Sequence, residues 1–279
     1  MERTTSSAVT GLKYLALCAY LVFLAFPLLW LLSTALKTPQ EIAQINPTII
    51  PNDITFANFR AAFDEQPIAR SLVNTAFVAS VSATLTVLLS IPAAYVMARY
   101  RSVVSRAVIV WVLLSQIFPW VLVIIPLFLL LRDAGLYDSR LGLIIVYVVW
   151  SMPFALWMLR SYVASIPYEL EEAAAMDGAT KVRALRSVVA PLLAPGVVAA
   201  GLFAFVSAWN EFLFALVLIR DPDLQTISLT LVKFIGAEGV ARLGPLAAAS
   251  LVATIPSLIF FAFMQRRLTG GLLGGAVKS

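Results

Sequence analysis

Six long apolar runs separated by shorter polar connections divide the chain: about Leu12 to Leu36, Ser71 to Met97, Ala107 to Leu131, Leu141 to Leu159, Pro191 to Ile219 and Leu246 to Met264. An α-helix rises about 1.5 Å per residue, so roughly 20 apolar residues cross the ~30 Å hydrocarbon core of a bilayer. The pattern predicts an all-α, polytopic membrane protein with six transmembrane helices, in a single domain over residues 1–279. The first run exceeds the roughly 7 to 15 residues of a signal-peptide core. Although Ser33 and Ala35 imitate a small-residue cleavage site, a retained anchor is expected.

Lys and Arg resist translocation, so their placement between the runs predicts orientation. The N-terminus, the turn with Arg99, Arg101 and Arg106, the loop from Arg160 to Arg186, and the tail with Arg266, Arg267 and Lys278 hold twelve of the 20 basic residues. They hold only five of the 15 acids. This side is expected to face the cytoplasm, with both termini on it, in a bacterial plasma (inner) membrane. The second run carries Ala76, Ala79, Ser80, Ser82, Ala83 and Thr86, small residues that let a neighbouring helix approach, so it is expected inside the bundle. Each run contains proline, which frees carbonyls and permits kinks.

Composition narrows the chemistry. The chain is 61% hydrophobic and 13% charged, with a mean hydropathy of +0.93. It has no His and one cysteine, Cys18, which excludes an internal disulfide, a His-based triad and a His-containing zinc site. No catalytic residue, metal site or cofactor is expected. No lysine follows a glycine as in a phosphate-binding G-x-x-x-x-G-K-[ST] loop, so any ATP that drives this protein must be bound by another chain. The net charge of +5 is scattered over short connections, which points to membrane topology rather than to nucleic acid.

The most informative segment lies between the fourth and fifth runs, over about 166–190. Ile166-Pro-Tyr-Glu-Leu-Glu-Glu-Ala-Ala-Ala-Met-Asp-Gly-Ala-Thr180 reads as a short helix with its own start and stop. Pro167 suits the first helical position, Glu169, Glu171 and Glu172 complement the dipole, and Gly178 suits the left-handed residue that ends the helix. Thr180 caps a second helix running towards Pro191. Apolar residues recur at helical spacing in both: Leu170, Ala173 and Ala174, then Val182, Leu185 and Val189. Such a segment either docks a partner or packs under its own bundle.

Glu172-Ala-Ala174, Gly178 and Val188-Val-Ala-Pro191 strongly resemble the E-A-A-x3-G-x9-I-x-L-P loop of bacterial ABC-importer permeases, with Val188 in place of Ile and Ala190 in place of Leu. Ser33-Thr-Ala-Leu-Lys37, Phe56-Ala-Asn-Phe-Arg60, Asn74-Thr75, Ala94-Tyr-Val-Met-Ala-Arg99, Trp209-Asn-Glu-Phe212 and Gly275-Ala-Val-Lys278 extend the likeness to carbohydrate-importer permeases of the maltose-importer MalG type. The resemblance implies the type I ABC importer permease fold, and Glu171, Glu172, Ala173, Ala174, Asp177, Gly178 and Ala179 on a cytoplasmic coupling helix and its turn. It implies as partners a homologous second permease, two cytoplasmic nucleotide-binding ATPase subunits, and an extracellular or periplasmic solute-binding protein that delivers a sugar-like solute. It also implies alternating access, and a tail that reaches between the ATPase subunits.

Trp209, Asn210 and Glu211 interrupt the fifth run. A carboxylate at a helix centre costs roughly 2.5–3.5 kcal/mol on insertion scales, so it needs a polar partner or an aqueous cavity. These three, with Asn74 and Gln116, are candidate pore or substrate contacts. The competing reading makes them clamps between helices. A secondary transporter or channel working without ATP is the alternative function, and it predicts transport by this chain alone.

Overall fold

The structure, a computed structural model, describes residues 7–100, 102–236 and 241–273. The charges at Glu2, Arg3, Arg101 and Lys278, the side chains of Arg266 and Arg267, and the Gly275 to Lys278 segment lie outside the described residues. The described chain is helical: α1 (Ser7–Leu36), α2 (Pro39–Ile42), α3 (Ala57–Glu65), α4 (Ile68–Arg99), α5 (Val103–Ile117), α6 (Trp120–Asp133), α7 (Arg140–Ser165), α8 (Glu169–Met176), α9 (Lys181–Ala184), α10 (Ala190–Leu192), α11 (Ala194–Trp209), α12 (Leu213–Leu218), α13 (Ile227–Val232) and α14 (Leu243–Leu273). A π-helical turn, Leu185–Val189, joins α9 to α10. Strand-like pairing among the described residues is limited to one bridge, Ile235 to Ala241.

Thr10–Leu36, Ile68–Arg99, Arg140–Ser165 and Leu243–Gln265 are each long and apolar enough to cross a bilayer. The other two apolar runs are broken. α5 and α6 meet at a 104° bend, and Lys181–Leu192 meets α11 at 74°. Phe118 precedes Pro119 and is extended (φ −73°, ψ 129°), as the proline ring requires of its predecessor, so the third run cannot continue as one helix. The fifth run also stops at Trp209 and resumes at Leu213. Pro27, Pro92, Pro126, Pro153 and Pro256, by contrast, lie inside helices that continue through them.

The chain forms two compact units. The first comprises residues up to Ile68 together with Thr230–Ile255. Here α1 is exposed along most of its length, and the segment after it is tied down by polar contacts. Asn58 Nδ2 donates to the carbonyls of Ala35 and Lys37 at 3.0 and 2.7 Å, Lys37 Nζ donates to the Thr48 carbonyl, and Glu41 Oε1 accepts from Thr48 Oγ1 at 2.6 Å.

The second unit comprises Ala69–Leu229 and the chain from Pro256 onwards. Its core packs α4, α7 and α11. One cluster joins Val78, Ala79 and Ala83 to Leu143, Ile144, Val146, Tyr147 and Val148 and to Ala204, Phe205 and Trp209; another joins Val87, Ala94 and Tyr95 to Ala155, Leu159, Val163, Val189 and Leu193. Buried positions on α4 recur as Ser71, Thr75, Val78, Ser82, Thr86 and Ser90, a helical stripe that meets Ile227 through Thr75, whose Oγ1 accepts from Ile227 N at 2.8 Å, and α7 through Thr86, whose hydroxyl lies 3.0 Å from that of Ser151. The expected interior helix is therefore interior on one face, and Ser80 lies on the exposed one.

Candidate functional site

The loop between α7 and α11 has the start and stop signals read from its sequence, shifted slightly. α8 begins at Glu169, two residues after Pro167, whose carbonyl accepts from Leu170 N at 3.4 Å. It ends in a Schellman arrangement: Ala179 N donates to Ala174 O and Gly178 N to Ala175 O, both at 2.9 Å, with Gly178 at φ +81°. Thr180 Oγ1 then caps α9 through Arg183 N at 3.4 Å. The second helix runs towards Pro191 as expected, and it passes through the π-helical turn just before Pro191, which lacks the N–H that a regular helix would use.

The apolar face expected of α8 is left uncovered by this chain. Leu170 and Ala173 are exposed and Ala174 half-buried, Val182 on α9 is also exposed, and the buried side chain of α8 is Glu171. Its Oε1 accepts from Arg99 Nε at 2.6 Å and its Oε2 from the Tyr95 hydroxyl at 2.6 Å. Tyr95 and Arg99 are four residues apart and share one face of α4. Arg99 Nη2 also donates to the Ile166 carbonyl at 2.9 Å, and its guanidinium lies 5.5 Å from the Tyr168 ring centre. The ion pair is nearly dry, with Glu171 6% and Arg99 10% exposed. Beside it, the Lys181 ammonium lies 4.9 Å from the Tyr100 ring centre. At 100° per residue, Glu169, Ala173 and Met176 fall on the face opposite Glu171 and Glu172 on its flank, and all four are exposed. α8 is thus bolted to α4 by one side and presents the other outward, with Asp177 and Gly178 exposed at its end and Ala174 and Ala179 half-buried.

The five candidate pore residues do not converge. Glu211 Oε1 accepts from Phe214 N at 2.8 Å, and its Oε2 accepts from Ala215 N at 3.1 Å and from the Tyr147 hydroxyl at 2.8 Å. That carboxylate caps α12, which is why the fifth run restarts there. Trp209 is buried beside Phe205, at 5.5 Å between ring centres, and Asn210 is exposed with its Nδ2 turned back to the Val206 carbonyl at 3.0 Å. Asn74 is buried; its Nδ2 donates to the carbonyls of Asp223 and Gln225 at 2.8 and 3.1 Å, and its Oδ1 accepts from Arg140 Nη2 at 2.8 Å. Gln116 is exposed near the end of α5. Sequence reasoning missed Tyr147 and Arg140 as partners, and it took Arg99 as a topology charge and as part of a family-like segment, not as a partner of Glu171.

Residues 90–272, most of the chain and all of this loop, match the family described as the binding-protein-dependent transport system inner membrane component. The chain belongs to this family. The permease is 58% identical over 230 residues to a putative ABC transporter permease protein, ORF1, of Streptomyces antibioticus, covering 82% of this chain and 100% of that one. It is 36% identical to the diacetylchitobiose uptake system permease protein DasC of Streptomyces coelicolor, over 91% of this chain and 92% of DasC. Its fold matches a chain from the crystal structure of a bacterial ABC transporter involved in the import of the acidic polysaccharide alginate, with a TM-score of 0.78, 23% identity, and 95% and 98% of the two chains covered. The permease is therefore a multi-pass, non-catalytic membrane component of an ABC importer that depends on a binding protein.

Proposed function

We propose that this permease is one of two homologous pore-forming subunits of a bacterial inner-membrane importer that takes up a sugar or sugar derivative by alternating access. Two cytoplasmic ATPase subunits drive it, and an external binding protein delivers the solute. The observation that carries this reading is the two-sidedness of α8: its inner face is held through Glu171, while Glu172, Ala173 and Met176 are exposed for a partner. The left-handed turn at Gly178 ends the helix sharply enough for it to enter a cleft. In this reading α8 is cytoplasmic, both termini share that side, and the chain crosses six times as one permease domain. The sugar class is supported by the uptake system named for DasC. Asn74 and Glu211 serve as clamps, and Asn210 and Gln116, both exposed, remain the candidates for solute or partner-permease contact.

Replacing Glu172 by Ala in the assembled complex tests the reading: the rise in ATP hydrolysis caused by the binding protein is expected to fall at normal expression, and an unchanged rise removes α8 as the seat of the ATPase. Transport by this chain alone in liposomes would support the ATP-independent alternative instead.

A further inference from the structure

We propose that Glu171 is the positioning residue through which movement of α8 is delivered to α4, the helix that runs the length of the second unit's core. The inference rests on the reading of α8 as the ATPase seat. A force applied to the outer face of α8 can leave along the chain in two directions, or through side chains into α4. Towards α7 the path runs through the extended residue Ile166, and towards α11 it runs through the π-helical turn and the 74° bend at Leu193. Both contain non-helical or irregular backbone, where a helix is most readily bent.

The route into α4 is the Glu171 carboxylate. Each oxygen takes a short hydrogen bond from a different side chain on one face of α4, 72 and 76 residues away in the chain. Two bonds to one rigid helix fix the direction of the carboxylate as well as its distance, and the low exposure of the pair keeps water from replacing either bond. Arg99 also holds the Ile166 carbonyl, so the same guanidinium joins the ends of α4 and α7 to the start of the loop. Movement of α8 therefore draws on α4 directly, and from there on α7 through the Thr86–Ser151 contact.

A static bolt would lower the amount of assembled complex without changing how each complex responds. The measurement is accordingly a ratio taken in proteoliposomes holding the complete complex: ATP hydrolysis with the system's own purified binding protein, divided by hydrolysis without it. Glu171→Gln keeps size and one acceptor but removes the charge, and the ratio's excess over one is expected to fall about tenfold, within the range of ordinary coupling energies. Tyr95→Phe, which removes one hydroxyl, is expected to lower it less. An unchanged ratio in assembled Glu171→Gln complex overturns the inference; if that variant does not assemble, an unchanged ratio in Tyr95→Phe overturns it. Glu172→Arg separates this from failure of the underlying reading. If the ATPase subunits still co-purify undiminished with Glu172→Arg, α8 is not their seat. If they are lost while Glu171→Gln keeps its ratio, only the transmission route is wrong.

Discussion

The Tyr147 hydroxyl donates to Glu211 at 2.8 Å, and the same carboxylate holds the first free N–H groups of α12. One acid thereby ends the gap after α11 and ties it to α7. Glu211→Ala removes all three bonds and leaves a buried phenol without this partner, at an expected cost of about 1–3 kcal/mol. Thermal unfolding of the detergent-solubilised protein should show a lower midpoint for Glu211→Ala, with Tyr147→Phe milder. If Glu211 instead served the solute, uptake would change while the midpoint stayed at the parental value.

Two glycines of α11 should respond oppositely to alanine. A Cβ on Gly196 would sit 2.6 Å from Cγ of Tyr162, a distance that forces the ring or the helix to shift, whereas one on Gly201 would meet Val87 Cγ2 at an ordinary 3.6 Å. Gly196→Ala is expected to destabilise by about 1–3 kcal/mol through overpacking. Gly201→Ala should be neutral or stabilising by up to about 1 kcal/mol, since alanine favours the helix. The same unfolding measurement checks both, and equal shifts in one direction would contradict the packing of α11 on α7.

Apolar run length was enough to reveal the helices, because a bilayer-spanning segment needs no long-range information to declare itself. The stop at Gly178 and the cap at Thr180 were legible for the same reason: both are local, and few residue types satisfy them. The break at Phe118 was available from the following proline but hidden by unbroken hydrophobicity. Which glutamate of Glu169, Glu171 and Glu172 turns inward was not legible, since the answer lies on α4. A signal existed there in Tyr95 and Arg99, an aromatic hydroxyl and a cation four residues apart at the end of an apolar helix. Glu211 was recognised as costly in a span, but its cap to Phe214 and Ala215 required knowing that the helix restarts.

Acid should loosen the segment after α1. Glu41 has its carboxyl held below the ordinary value, chiefly by the hydrogen bond from Thr48, with burial opposing and with the Asn52 N–H and Lys37 adding to the lowering. Because the folded value lies below the unfolded one, the unfolded chain binds more protons through the acid range, so the contribution is complete above the ordinary carboxylate range. It is lost as the pH falls through the folded value. Hydrogen-exchange protection across residues 37–55, taken relative to the intrinsic rate at each pH, should be steady near neutrality and fall below the carboxylate range, and Glu41→Gln should flatten that dependence. Parental protection that is equal at both pH values would remove Glu41 as the tie.

Gly178 is the most economical probe of the loop, because the space around it is open: apart from the residue and its two chain neighbours, no atom lies within 4 Å of where a Cβ would be. Any cost of a side chain there is therefore backbone strain at φ +81° and not a clash. Gly178→Ala is expected to cost about 1–2 kcal/mol of turn stability, whereas Gly178→Asn should cost less because asparagine accepts the left-handed conformation. Asparagine is the larger side chain, so a partner that merely touches this position would rank the two variants by size and disfavour Asn. A partner that needs α8 to stop sharply would disfavour Ala. ATP hydrolysis stimulated by the binding protein should accordingly fall further with Ala than with Asn, and the reverse order would show that contact at the turn, rather than its shape, is what the ATPase reads.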